Sequence, residues 1–289
     1  MKDLLKLIGC WLAFLAAMFL SGVVTTILHF HPAVLPSGVS VQALFLTQLA
    51  AGVVLVAGLW PLARSLAAPP ALRTAAFVAF LFFAFGVNGM IEAKKFTSFL
   101  DAGIGSAAVF YVCVAAFVGT AVGLLFGSAG QPSGLPRRNW VAWTWRVAAA
   151  WLGWPVIYFV FGMCVGPIVV PYYNAGVAGL RIPSMSVVIA IQLIRSPIFL
   201  LFTLPFVALW KGSRRGLWLA LGIAHAFTIG LYGLVGAIFL PMVLRVAHTV
   251  EMTCDAFAYA GLLVLLFAAP AAKGVPAAPP LQDPPPQSL

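Results

Sequence analysis

The chain has 289 residues, of which 63% are hydrophobic and only 8% are Asp, Glu, Lys or Arg; soluble domains average about 45–50% and about 25%. That balance excludes a soluble enzyme, a disordered chain and a disulfide scaffold, and leaves a multi-pass membrane protein. The net charge of +10 lies mainly between apolar runs, where cations set orientation, so no nucleic-acid partner is expected.

A bilayer core about 30 Å thick takes about 20 apolar residues in helical form. Such runs lie near 4–28, 41–60, 72–91, 103–127, 141–166, 187–210, 216–240 and 250–269. Period-two alternation is absent, so the expected fold is an all-α bundle of about eight spans rather than a barrel. Residues 1–269 form one transmembrane domain in this reading. The proline-rich stretch 270–289 reads as a disordered cytoplasmic tail.

The first span follows Lys2 and Lys6 and is longer than a signal-peptide core, so it is expected to be retained. Leu7-Ile8-Gly9-Cys10 resembles a lipoprotein box, but too little chain precedes it; Cys10 reads as a packing residue. Near its outer end the third span places Asn88, Glu92 and Lys95 on one face. In the fourth, Gly119, Gly123 and Gly127 form a small-residue stripe suited to close packing within the bundle, with a homodimer seam as the other option. Between the fifth and sixth spans, residues 167–186 read as a loop carrying Tyr172, Tyr173 and Asn174 at the membrane interface.

The sixth span places Gln192, Arg195 and Ser196 on one face, and Pro197 removes a backbone hydrogen bond beside them. In the seventh, His225 stands alone and reads as a hydrogen-bonded interior residue. The eighth opens with Arg245, His248, Glu251 and Asp255. At 100° per residue the last three fall within about 60° of one another, with Arg245 on their border.

Orientation follows from the cationic loops. Lys2, Lys6, Arg64, Arg73, Arg137, Arg138, Arg146, Lys211, Arg214, Arg215 and Lys273 fall on one side, while Lys94, Lys95, Arg181 and Arg245 fall on the other beside Glu92, Asp101 and Glu251. Both termini are therefore expected in the cytoplasm, and the protein in a cell membrane of the bacterial inner-membrane kind. Trp60, Trp140, Trp143, Trp210 and Trp218 agree, all falling near the same interface.

The connections leave no room for a soluble catalytic domain, so any chemistry belongs to groups in or beside the membrane. Asp255 costs about 2.5–3.5 kcal/mol in a span on insertion scales, and Arg195 is the natural partner at similar depth; an Arg195–Asp255 pair is expected. Around it, Glu251, His248, Arg245, Glu92, Asn88 and Gln192 are the candidates for substrate binding or proton relay in an outer-leaflet cavity. His248, Glu251, Asp255 and Glu92, with His29 or His31, carry nitrogen and oxygen atoms that could ligate a metal. The set matches no ligand signature and faces Arg195 and Arg245, so no metal and no cofactor is expected.

Three functions fit. A transporter or permease would hold an anionic or zwitterionic solute against Arg195. A membrane enzyme would act on a lipid or lipid-linked substrate, although no nucleophile–base set is visible. A noncatalytic accessory subunit would use the cluster to hold a membrane partner. Cys10, Cys113, Cys164 and Cys254 are dispersed, with a Cys164–Cys254 disulfide as an open option. Trp60 and Arg64 resemble Trp210 and Arg214 at an offset of 150, as do Asp101 and Glu251, but the first and fifth spans do not align at that offset. An internal repeat is therefore only suggested.

Overall fold

A computed structural model describes residues 1–32 and 39–269. Among them, eight helices are long and apolar enough to cross a membrane: α1 Lys2–Ile27, α2 Val41–Ala63, α3 Pro70–Phe96, α4 Leu100–Leu125, α5 Trp140–Asn174, α6 Met185–Leu209, α7 Arg214–Gly236 and α8 Met242–Phe267. The expected tail 270–289, with Lys273, lies outside the described residues.

Side chains mark where several helices begin. Ser40 Oγ accepts the Ala43 N–H, Asn139 Oδ1 the Ala142 N–H at 2.8 Å and Ser213 Oγ the Gly216 N–H at 3.0 Å, each relieving an otherwise orphaned amide. Phe19, Leu152, Leu201 and Leu265 point outward and exposed, as suits a bundle solvated by lipid.

The helices pack as a closed ring in the order α1, α2, α7, α8, α5, α6, α3, α4 and back to α1. Every neighbour in that ring is antiparallel. Aromatic residues, among them Phe14, Phe77, Phe80, Phe199, Phe206, Trp154 and Tyr259, fill its inside. Cys10 is buried there with no exposure, as a packing residue should be.

At one end the loops are stitched together: Leu66 and Trp210 form an antiparallel bridge, and Ser128 N–H donates to Leu66 O at 2.9 Å. This is the basic end. Arg214 donates to Val264 O and Arg138 to Leu266 O, both at 2.9 Å, while Arg73 donates to Gly123 O at 3.0 Å and also to Ala68 O. Cations at helix C-termini satisfy free carbonyls and the helix dipole together. At the other end Thr97 bridges Leu180, and Asp101 is held by Arg181 at 2.9 Å and Lys94 at 3.2 Å.

Two boundaries differ from the sequence reading, and three helices carry an irregular stretch. Helix α5 continues to Asn174 through Pro155, Pro167 and Pro171, so Tyr172, Tyr173 and Asn174 form its last turn rather than a loop. At 1.5 Å per residue its 35 residues reach about 50 Å, well beyond the hydrocarbon core. Helix α8 begins at Met242, which puts Arg245 and His248 inside it. Stretches Phe80–Val87 of α3, Ala115–Gly119 of α4 and Ala226–Leu231 of α7 are π-helical.

The glycine stripe of α4 packs within the chain. A Cβ on Gly119 would stand 2.8 Å from the Val78 backbone nitrogen, and one on Gly123 2.4 Å from Thr74 Cα. All four cysteines are free.

Candidate functional site

The polar groups of α3, α5, α6 and α8 converge on one seam. On α3 the π-helical stretch ends at Val87, immediately before Asn88; the wider turn re-aims the residues that follow it. Asn88 and Glu92, one turn apart, then face α6. From α6 come Gln192, Arg195 and Ser196, and from α5 Trp151 and Trp154.

Two prolines stitch α5 to α6 reciprocally. Pro197 has no N–H for the carbonyl of Leu193, four residues back; the Trp151 indole N–H supplies one at 2.8 Å. Pro155 likewise leaves Trp151 O free, and the Ser196 hydroxyl donates to it at 2.6 Å. The carbonyl freed by Pro197 is thus already used, not held open for a ligand.

Arg195 is 1% exposed. Its Nη1 lies 2.6 Å from Glu92 Oε1 and donates to Gln192 Oε1 at 3.2 Å, while its Nε donates to Asn88 Oδ1 at 2.9 Å. The rings of Trp154 and Phe199 flank the guanidinium, and the Trp154 indole N–H donates to Gln192 Oε1 at 2.9 Å. The expected Arg195–Asp255 pair is therefore replaced by Arg195–Glu92. Depth along the helices placed Asp255 at a plausible height, but the partner is set by the ring order, in which α6 stands beside α3 and meets α8 only sparsely across α5.

Asp255 is 4% exposed and makes no ion pair; its Oδ1 is buried without a hydrogen-bond partner, as is Gln192 Nε2. One turn away on α8, Glu251 is buried, and its Oε2 lies 2.7 Å from His248 Nδ1. As a carboxylate Glu251 accepts from the Nδ1–H of His248, and on the other side of the ring Nε2 lies 3.3 Å from the Tyr173 hydroxyl. The other oxygen of Glu251 rests against bare α5 backbone, where a Cβ on Gly162 would stand 3.4 Å away. A polar file thus runs from Tyr173, at the far end of α5, through His248 and Glu251 toward Asp255.

Arg245 does not border this file. Its Nε donates to Leu234 O at 2.9 Å and its Nη2 to Val235 O at 3.4 Å, closing the end of α7. Two shallow concavities lie along Met18–Ile27 of α1 and beside Arg245. His29 and His31 stand exposed beyond the end of α1, and among the described residues no three His, Cys, Asp or Glu side chains group to hold a metal ion. In α7, His225 bonds Thr203 at 3.0 Å in the interior.

Sequence reasoning missed Trp151, Trp154 and Gly162, and it placed Tyr173 in an interfacial loop rather than in the last turn of α5. Only Pro197 could have signalled Trp151, since a proline frees a carbonyl that some donor must meet; Trp154 meets the Gln192 side chain instead. No protein-family model, curated protein or solved structure matches the chain.

Proposed function

We propose that this multi-pass membrane protein is a proton-coupled transporter or permease in which Asp255 gains and loses the coupling proton. The observation that carries the reading is a surplus of acid: Glu92 pairs with Arg195, Glu251 pairs with His248, and Asp255, one turn from Glu251, has an unpartnered buried oxygen. A low-dielectric interior does not tolerate uncompensated charge, so such a site takes up protons or a cation. Arg195 is neutralised by Glu92, and this favours proton handling over the holding of an anionic solute. The file Tyr173–His248–Glu251 supplies the route by which a proton reaches Asp255. Both ring nitrogens of His248 are engaged by Tyr173 and Glu251, which suits a relay position better than that of a free base.

With the basic end in the cytoplasm, both termini lie inside a cell membrane of the bacterial inner-membrane kind and the Tyr173 end faces out. The test uses purified protein in proteoliposomes that enclose a pH-sensitive dye. Under an inward proton gradient, panels of amino acids, sugars, nucleosides and organic cations are added outside. Lumenal acidification with one class, lost in Asp255→Asn, is the expected result; none with any class overturns transport. Infrared spectra of the same vesicles should show a carboxyl band that changes with pH and that Asp255→Asn removes, and its absence from the parent protein overturns the proton site.

A further inference from the structure

The ring order is unchanged when α1–α4 are exchanged for α5–α8: α1 meets α2 and α4 as α5 meets α6 and α8, and α2 meets α7 as α6 meets α3. Helices α2 and α3 start at 41 and 70, α6 and α7 at 185 and 214, in both cases 144 positions later. Leu66 and Trp210, partners in the antiparallel bridge, are also 144 apart, as two residues facing each other across a twofold axis must be. The π-helical stretches of α3 and α7 end at Val87 and Leu231, again 144 apart.

The sequence follows this register and not the offset of 150. Gln48, Leu49 and Pro61 of α2 recur as Gln192, Leu193 and Pro205 of α6. Phe83, Gly86 and Gly89 of α3 recur as Phe227, Gly230 and Gly233 of α7. In α1 and α5 the register is 140: Trp11, Leu12, Phe19 and Gly22 recur as Trp151, Leu152, Phe159 and Gly162.

Contacts repeat with the residues. The Trp11 indole donates to Leu49 O at 3.1 Å as that of Trp151 donates to Leu193 O at 2.8 Å. Phe227 covers Gly58 in one seam where Phe83 stacks on Phe202 in the other, ring centroids 4.2 Å apart.

One position breaks the pattern. In the α3–α6 seam Asn88, Glu92, Gln192 and Arg195 meet. Their counterparts in the α2–α7 seam are Tyr232, Gly236, Gln48 and Ala51, where the Tyr232 hydroxyl donates to Gln48 Oε1 at 3.1 Å and a Cβ on Gly236 would stand 2.8 Å from Gln48 Nε2. The same helix–helix junction is therefore built once with a buried ion pair and once with neither charge. Asp255 and Glu251 come from α8, which lies between α7 and α5 in the ring, and Glu251 is turned to the α5 side, where a Cβ on Gly162 would stand 3.4 Å from its Oε1.

We infer that the chain is a tandem duplication of one four-helix unit folded about a twofold axis, and that Arg195 and Glu92 equip one of its two equivalent seams for function rather than hold the helices together. Gln192 and Asn88 or its counterpart belong to the shared architecture; the charges do not. Naming proton coupling as the purpose of the charges rests on the function proposed above, whereas the comparison of the two seams does not.

The test is made on the full chain. Arg195→Met with Glu92→Gln removes both charges while keeping bulk, and Arg195→Ala with Glu92→Gly copies the neutral seam. At least one double variant is expected to elute as a single peak and to melt within about 4 °C of the parent, with its solute-driven acidification lost. Aggregation, or melting more than about 10 °C lower, in both variants overturns the inference, as does a well-folded variant that retains acidification. A parent protein without acidification refutes the transport reading instead, and the melting comparison still decides whether the pair is structural.

Discussion

Removing one member of the Arg195–Glu92 pair should cost more than removing both. Arg195 is 1% exposed, and a guanidinium is a fixed cation. Glu92→Gln therefore leaves a buried cation whose remaining acceptors are the amide oxygens of Asn88 and Gln192. Breaking a buried pair this way costs about 3–5 kcal/mol. The Glu92 side chain is 23% exposed and two amide contacts persist, which brings the figure to about 2–3 kcal/mol. At about 2–4 °C per kcal/mol, the melting temperature falls by about 4–12 °C. Adding Arg195→Met removes the stranded charge and orphans mainly Asn88 Oδ1, since Gln192 Oε1 keeps the Trp154 indole; the net cost drops to about 1 kcal/mol. Tryptophan-fluorescence melting of the parent, the two single variants and the double variant in one detergent gives the cycle. Glu92→Gln melting at or above the double variant would refute the pairing.

Two further outcomes test the packing. Trp151→Phe should destabilise by about 1–3 kcal/mol because Pro197 leaves Leu193 O no other donor, whereas Trp11→Phe should cost under about 1 kcal/mol, since Leu49 O sits within an unbroken turn of α2; equal melting shifts would contradict the proline argument. Gly123→Ala puts a methyl 2.4 Å from Thr74 Cα and should lower stability by about 1–3 kcal/mol while leaving the oligomeric state unchanged. A shift from dimer to monomer in light scattering would instead make the glycine stripe an intermolecular seam.

Composition and charge placement by themselves determined that the chain is a bundle of eight apolar helices with one basic end, because lipid forces backbone groups to pair within each span and every span must be long enough to cross. Helix periodicity likewise gathered His248, Glu251 and Asp255 on one face and Asn88 with Glu92 on another, since a face is a property of a single helix. Which faces meet was decided only in three dimensions. Arg195 found Glu92 and not Asp255 because the ring sets α6 beside α3, and nothing in the depth of a residue along its own helix encodes its neighbour. Arg245 turned to the carbonyls of Leu234 and Val235 for a similar reason, since the end of α7 lies within its reach and offers unpaired acceptors. The internal repeat is present in the sequence, but at registers of 144 and 140 separated by loops of different length, and in so apolar a chain a few matches at any offset arise by chance. The bridge between Leu66 and Trp210 and the paired indole contacts of Trp11 and Trp151 fix that register, because a twofold axis must relate contacts as well as letters.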